Sequence, residues 1–404
     1  MSKRSAVSSG AILKHFLKVA RHPWIASKLA TLQAEKWVFD WVYPKAAEGL
    51  ANKVRQVSVR ITDVCNLRCV MCGQWGESGF LHGKDLKELK KVEVAPSRYI
   101  ELLRDLRAHG HSPNLYLWGG EPTLYDGWLD IIEAATDMRF PCSIATNGTR
   151  LVQNVQRLVR APLFLLQVSI DGHCAEVHNA IRPGVGKTDS FASILAGLDA
   201  VREERLRKKS TLPLIASLTT VSKDNANHLV DIYETFRNKV DMCVFYPSWW
   251  IDEESAKAHD ADFQRRFGFK PELHWGWLGG WKLQDYEGLN RQLLELDKRS
   301  KDWNSPPIIF IPNIRGEENL QRYYNVHSER FGYEQCISIY QVVEIDSNGD
   351  VSPCRDYHDY KVGNVKDSTI TEIWNNDRFR KFRRSLHQEG LMPVCTRCCG
   401  LMGY

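Results

Sequence analysis

The 404-residue chain is 43% hydrophobic and 25% charged, enough apolar material for two or three domains and incompatible with a wholly disordered chain. No apolar run approaches the ~18 residues of a membrane-spanning helix. The N-terminal apolar stretch is broken by Lys14 and Lys18, unlike a secretory signal, so a soluble, cytoplasmic protein is expected. Of the net charge of +5, residues 1–60 contribute +8 (eleven basic, three acidic) and the remaining 344 residues −3, which argues against a nucleic-acid groove across the main body.

Residues 1–53 read as a helical extension. Over 9–22, Ile12, Leu13, Phe16, Leu17 and Ala20 share one helical face opposite Lys14, Lys18 and Arg21, and Pro23 ends the pattern. A second helix is expected over about 24–43, before Pro44. A basic amphipathic helix of this kind has two readings, peripheral contact with an anionic membrane or packing against the body of the protein.

From residue 54 strands alternate with helices. Strands are expected at 56–64, 115–118, 143–146, 164–170, 214–221 and 242–246, and helices at 96–109, 126–139, 190–205 and 225–237. Six such parallel units predict a partial (β/α)6 TIM-like barrel over 54–250, with function at the strand-to-loop ends. The stretch 251–335 is a tryptophan-rich insertion or linker. Six of the thirteen tryptophans fall between 249 and 303, so they either line a pocket or form the core of a small helical cap, the reading favoured here. From 336 to 404 a hairpin about Asn348-Gly349, a helix over 368–387 and a cysteine-rich tail make a C-terminal domain.

Eleven cysteines in a chain expected in the cytosol are poor evidence for disulfides. Cys65, Cys69 and Cys72 place three thiols within eight residues at the end of the first strand. Structural zinc takes four ligands in paired spacing, whereas three thiolates suit three irons of a 4Fe–4S cube and leave the fourth iron open.

The spacing Cys65-x3-Cys69-x-Met71-Cys72 resembles the signature of the radical S-adenosylmethionine (SAM) superfamily, and the resemblance extends over about 55–250. Gly119-Gly120-Glu121-Pro122 follows the second strand, where the family binds the SAM amino group. The two glycines allow close backbone approach, and Glu121 can pair with an ammonium. The resemblance further implies SAM contacts from Asn147 at the end of the third strand. At the end of the fourth strand it implies hydrogen bonds to the ribose from Ser169 and Asp171. Arg182 is implied as the fork-shaped partner of the SAM carboxylate. Met71 stands where the family usually has an aromatic residue, so backbone contact with adenine is expected without side-chain stacking.

Cys336, Cys354, Cys395 and Cys398 resemble the ligands of the C-terminal twitch or SPASM extension of these enzymes, with Cys399 spare or exchanging with Cys398. The spacing is closest to the single-cluster twitch type of an aminocyclitol dehydrogenase; a zinc site from the same four cysteines is the competing reading. The implied cofactors are SAM, its 4Fe–4S cluster and one auxiliary 4Fe–4S cluster. A flavodoxin- or ferredoxin-type electron donor is the implied partner. The implied reaction is reductive cleavage of SAM to a 5′-deoxyadenosyl radical, followed by hydrogen abstraction from an unactivated C–H. Oxidation of a small alcohol- or sugar-like substrate is the first expectation. Peptide maturation by cross-linking or epimerisation is the alternative, and a non-catalytic iron–sulfur scaffold the remote one.

Three other signals carry less. Gly184–Thr188 lacks the first glycine of a phosphate-binding loop, since Ile181 stands there. Cys142 and Cys243 are expected to be core thiols. Cys174 is read as structural, with hydrogen-atom donation as its functional alternative.

Overall fold

The computed structural model describes residues 27, 34, 38–161, 163–186, 188–279, 283–302, 304–356 and 358–402. The helix expected at 9–22, and with it the membrane-contact reading, lies outside these residues, as does most of the one at 24–43. Of the latter, Phe39–Val42 is helical. No helix among the described residues is long and apolar enough to cross a membrane.

Ten strands form one sheet: β1 (Gln56–Thr62), β2 (Asn114–Gly119), β3 (Cys142–Thr146), β4 (Leu165–Ser169), β5 (Leu214–Val221), β6 (Met242–Pro247), β7 (Ile308–Phe310), β8 (Val342–Ile345), β9 (Asp350–Ser352) and β10 (Gly363–Asn364). Their order is β10-β9-β8-β1-β2-β3-β4-β5-β6-β7. Every pairing from β8 through β7 is parallel, and β9 and β10 add antiparallel at one end.

Alternation along the strands separates core from cavity. In β1, Val57, Val59 and Ile61 enter the hydrophobic core while Ser58, Arg60 and Thr62 take the other face. In β2, Leu115 and Leu117 are core residues, and Tyr116 and Trp118 line a cavity. Amphipathic helices cover the apolar face. The helix Pro96–Ala108 starts with proline in its first turn and buries Tyr99, Leu102, Leu103 and Leu106. Each leucine removed from water in this way contributes roughly 1.5–3 kcal/mol.

The parallel series is longer than the six strands expected. Helices Glu253–Phe267, Tyr286–Arg299 and Glu317–Asn325 occupy the tryptophan-rich region, and that region also supplies β7, which pairs with β6. At the opposite side β8 pairs with β1, Ser58 facing Glu344. The sheet therefore runs across the edges expected at 250 and 335. The C-terminal helix is two helices, Ile370–Trp374 and Asp377–Glu389, because Asn376 caps the second by accepting from the Phe379 N–H.

Candidate active site

Cys65, Cys69 and Cys72 lie on the loop that leaves β1, at the C-terminal end of the parallel strands. This loop is clamped by the segment 181–185, which also carries Arg182. The N–H groups of Arg68 and Val70 donate to Pro183 O (2.8 Å) and Ile181 O (3.0 Å), and Val185 N–H donates to Asn66 O (2.9 Å). The Arg68 guanidinium donates to the carbonyls of Cys65 (2.9 Å) and Leu67 (2.8 Å) and stacks 4.1 Å over the Trp75 ring.

Each thiol has a donor aimed at its sulfur. Leu67 N–H reaches Cys65 Sγ at 3.4 Å, Trp75 N–H reaches Cys72 Sγ at 3.4 Å, and Arg182 Nη1 reaches Cys69 Sγ at 3.6 Å. Burial pushes the Cys65 thiol well up from its ordinary value, and the Cys69 thiol up to about 11 against the pull of Arg182. Metal ligation overrides such a shift, since a coordinating thiol is deprotonated outright. Three thiols with N–H donors beside a cation fit an anionic cluster.

Around this loop is a cavity of about 260 Å³. Met71, Gly119, Gly120, Asn147, Ser169 and Arg182 all line it together with the three cysteines, so most of the residues expected to meet SAM converge on one space. Two do not. Glu121 is fully buried and outside the cavity lining, because its carboxylate is occupied. Oε1 accepts from Thr123 N–H (3.0 Å), Thr123 Oγ1 (2.6 Å) and Thr146 Oγ1 (2.6 Å), and Oε2 accepts from Asn147 N–H (2.7 Å). In this position Glu121 braces the ends of β2 and β3. Asp171 is likewise buried, accepting from Arg182 Nε (2.5 Å) and Thr220 N–H (2.8 Å). It orients Arg182.

The two glycines also meet a steric demand of the chain itself. A Cβ on Gly119, whose φ is +144°, would stand 2.4 Å from Thr62 O, and one on Gly120 would stand 2.3 Å from Val64 O. The close approach is to the β1 backbone, which accepts from Gly120 and Glu121 N–H at 2.8 Å each.

A second cavity of about 180 Å³ shares Tyr116, Tyr246, Trp249 and Arg355 with the first and reaches Cys398, Arg397 and Met402. Arg355 lies 4.7 Å over the Tyr116 ring and 5.2 Å over that of Trp118. Behind it Glu344 is buried beside Ser58, its neighbour across the β1–β8 pairing. Burial pushes its pKa up to about 8, partly offset by Arg355. Of the tryptophans in the tryptophan-rich region, Trp249 and Trp277 line the first cavity, as the pocket reading expects, while Trp250 lies in the main hydrophobic core.

Burial, and after it Cys336, pushes the Cys395 thiol up to about 12; burial, Asp356, Cys395 and Cys336 push the Cys354 thiol well up, so the three cysteines lie near one another. Cys398 instead donates to Asp356 Oδ2 at 2.8 Å and faces the second cavity. Cys142 and Cys243 are buried in the core.

Sequence reasoning did not single out Tyr116, Tyr246, Arg355, Asp356 or Glu344. The alternation Leu115-Tyr116-Leu117-Trp118 was the available signal for the first, and the charged pair directly after Cys354 for Arg355 and Asp356.

Residues 59–235 match the radical SAM superfamily, and residues 336–399 match the SPASM iron–sulfur cluster-binding domain. The chain belongs to the radical SAM superfamily, and within it to the members that carry a C-terminal SPASM domain; its cofactors are SAM and 4Fe–4S clusters. It is 27% identical to an AdoMet-dependent heme synthase of Methanosarcina barkeri over 86% of this chain and 90% of that protein. It is 22% identical to a cysteine-type anaerobic sulfatase-maturating enzyme of Clostridium novyi, over 79% and 78%. Its fold is shared with Streptococcus suis SuiB bound to the precursor peptide SuiA (TM-score 0.56, 14% identity, 88% of this chain and 72% of that one). It is shared also with anSMEcpe bound to AdoMet (TM-score 0.56, 18% identity, 86% and 88%).

Proposed function

We propose that the chain oxidises a small alcohol- or sugar-like substrate held between its two cysteine sites. The observation that carries this reading is the pair of adjoining cavities. One is bordered by Cys65, Cys69 and Cys72 and the other by Cys398, and they share Tyr116, Tyr246, Trp249 and Arg355. A substrate seated there is within reach of both electron-carrying centres.

Cys65, Cys69 and Cys72 hold the SAM-binding cluster, and Met71, Gly119, Gly120, Asn147, Ser169 and Arg182 surround SAM. The bound cofactors supply one-electron cleavage of SAM to methionine and a 5′-deoxyadenosyl radical that takes a hydrogen atom from an unactivated C–H. Asp171 fixes the Arg182 guanidinium so that its fork presents to the carboxylate. Aromatic faces from Tyr246 and Trp249 pack on a ring or carbon skeleton and exclude water, and Arg355 binds its polar substituents. Net oxidation removes a further electron and a proton. Cys336, Cys354, Cys395 and one of Cys398 or Cys399 would hold an auxiliary cluster, which would supply an acceptor for that electron, and Asp356 would take the proton. Cys398 must leave Asp356 to join that set.

Peptide maturation is the second reading, favoured by a wider outer cavity of about 660 Å³ bordered by Glu77, Glu176, Lys223 and Asp224, large enough to admit a chain. A turnover experiment separates the two. Enzyme, SAM and reductant are incubated with carbon-deuterated cyclitols and sugar alcohols. Deuterium in 5′-deoxyadenosine, with a matching ketone product, supports the oxidation. Deuterium transfer from labelled peptides alone overturns it in favour of the second reading.

A further inference from the structure

We propose that His173, His228 and Asp231 form a binding site for a divalent first-row transition ion on the rim of the barrel, separate from both cysteine sets and independent of the reaction proposed above. One ligand atom from each residue lies within 4.8 Å of the other two, and this is the only such trio of histidine, cysteine or acidic residues among the described residues. His173 follows β4, directly before the helix Ala175–Ile181. His228 ends the short 3-10 turn Ala226–His228, and Asp231 lies in the first turn of the helix Leu229–Phe236. The trio thus joins the loops after β4 and β5.

Their arrangement is that of ligands more than of a packed surface. The two imidazole rings are 4.8 Å apart with 33° between their planes. His173 Nδ1 is shut off from solvent and has no hydrogen-bond partner. His228 Nδ1 and Asp231 Oδ2 are 3.3 Å apart. Two imidazoles side by side gain little from each other, but both can donate lone pairs to one cation. The backbones that carry them are fixed. Asn225 Nδ2 donates to Asp171 O and Thr220 O at 3.0 Å each, and Asn225 Oδ1 accepts from Ser222 N–H at 2.8 Å.

The donor set selects the ion. Two imidazole nitrogens and one carboxylate oxygen suit Zn²⁺, Co²⁺ or Ni²⁺ over the hard, all-oxygen cations. Three protein ligands leave at least one position for water, and the side chains of His228 and Asp231 are 41% and 57% exposed, so an ion enters from solvent.

The site has a structural consequence for the catalytic mouth. The helix that starts just after His173 carries Glu176 and Val177, and the loop before His228 carries Ser222, Lys223 and Asp224; all five border the outer cavity. The same helix ends at Arg182. A bound ion ties these two walls together.

Zinc is the probe. Cluster-reconstituted enzyme is passed through a chelating resin, dialysed against micromolar Zn²⁺ under anaerobic conditions, and analysed for zinc and iron per chain. The wild type should hold one zinc with unchanged iron. His173→Ala, His228→Ala and Asp231→Asn should each weaken zinc binding at least tenfold with iron, and hence the folded clusters, retained. Zinc should also raise the melting temperature of the wild type and not of the variants. No zinc on the wild type, equal zinc on a His173→Ala/His228→Ala double variant, or zinc gained only as iron is lost would each overturn the site.

Discussion

Arg182 donates through Nε to Asp171 Oδ2 at 2.5 Å, and both side chains are largely withdrawn from water. The pair ends β4 and turns the remaining guanidinium edge toward the cysteine loop, where Nη1 meets Cys69 Sγ. Arg182→Ala should weaken SAM binding by roughly 2–4 kcal/mol. It should also lower the melting temperature, because the buried Asp171 loses its partner at a cost of about 3–5 kcal/mol. Isothermal titration with SAM and a thermal melt read the two effects separately. An unchanged SAM affinity would show that the carboxylate is held elsewhere.

Glu121 separates two roles for one carboxylate. As a strut it accepts four hydrogen bonds from Thr123, Thr146 and Asn147. Glu121→Gln places an amide NH2 against groups that are themselves donors, which should cost about 1–3 kcal/mol of stability. The SAM affinity of the folded enzyme should change less than tenfold. A large loss of SAM affinity at unchanged stability would restore the ammonium contact.

These two acids mark where the sequence stopped being legible. The motif Gly119–Pro122 and Asp171 could be placed at the ends of strands from chain order alone, but which way a carboxylate turns depends on neighbours brought in by folding. Thr146 and Asn147 come from β3 and its loop, and Thr220 from β5. The strand β5 is legible with its observed bounds because Leu214–Val221 is rich in apolar and β-branched residues and lies directly after Pro213. By contrast β7 is three residues buried throughout, too short to show a period, and β8 could not be known to pair with β1 across nearly three hundred residues. All six expected strands are present as β1–β6, and β7 and β8 extend the sheet beyond them.

Glu344 predicts a pH dependence of stability. Its folded pKa is raised from 4.5 to about 8, chiefly by burial. A raised carboxyl pKa means the folded state holds a proton that the unfolded state has released. Stability is therefore unaffected below about pH 4, falls as pH rises from there to about 8, and is level above that. Glu344→Gln removes this dependence. Melts from pH 5 to pH 8 should show the variant gaining on the wild type as pH rises. A variant that loses ground to the wild type as pH rises would contradict the assignment.

Metal content tests the two cysteine sets. Anaerobically reconstituted protein should carry about eight irons per chain, and the Cys65→Ala/Cys69→Ala/Cys72→Ala variant about four, with all SAM cleavage lost. Zinc at the C-terminal set with only about four irons in the wild type would remove the auxiliary cluster.

The central question is whether the C-terminal cluster takes the second electron of an oxidation. The direct measurement is the ratio of oxidised product to 5′-deoxyadenosine made by the Cys354→Ala/Cys395→Ala variant, with a chemical reductant and the substrate found by the deuterium screen. In the wild type the ratio should approach one. In the variant 5′-deoxyadenosine should still form, because Cys65, Cys69 and Cys72 are intact, while oxidised product falls at least tenfold. A variant that forms both at the wild-type ratio would show that the electron leaves by another route and that the C-terminal cluster is structural.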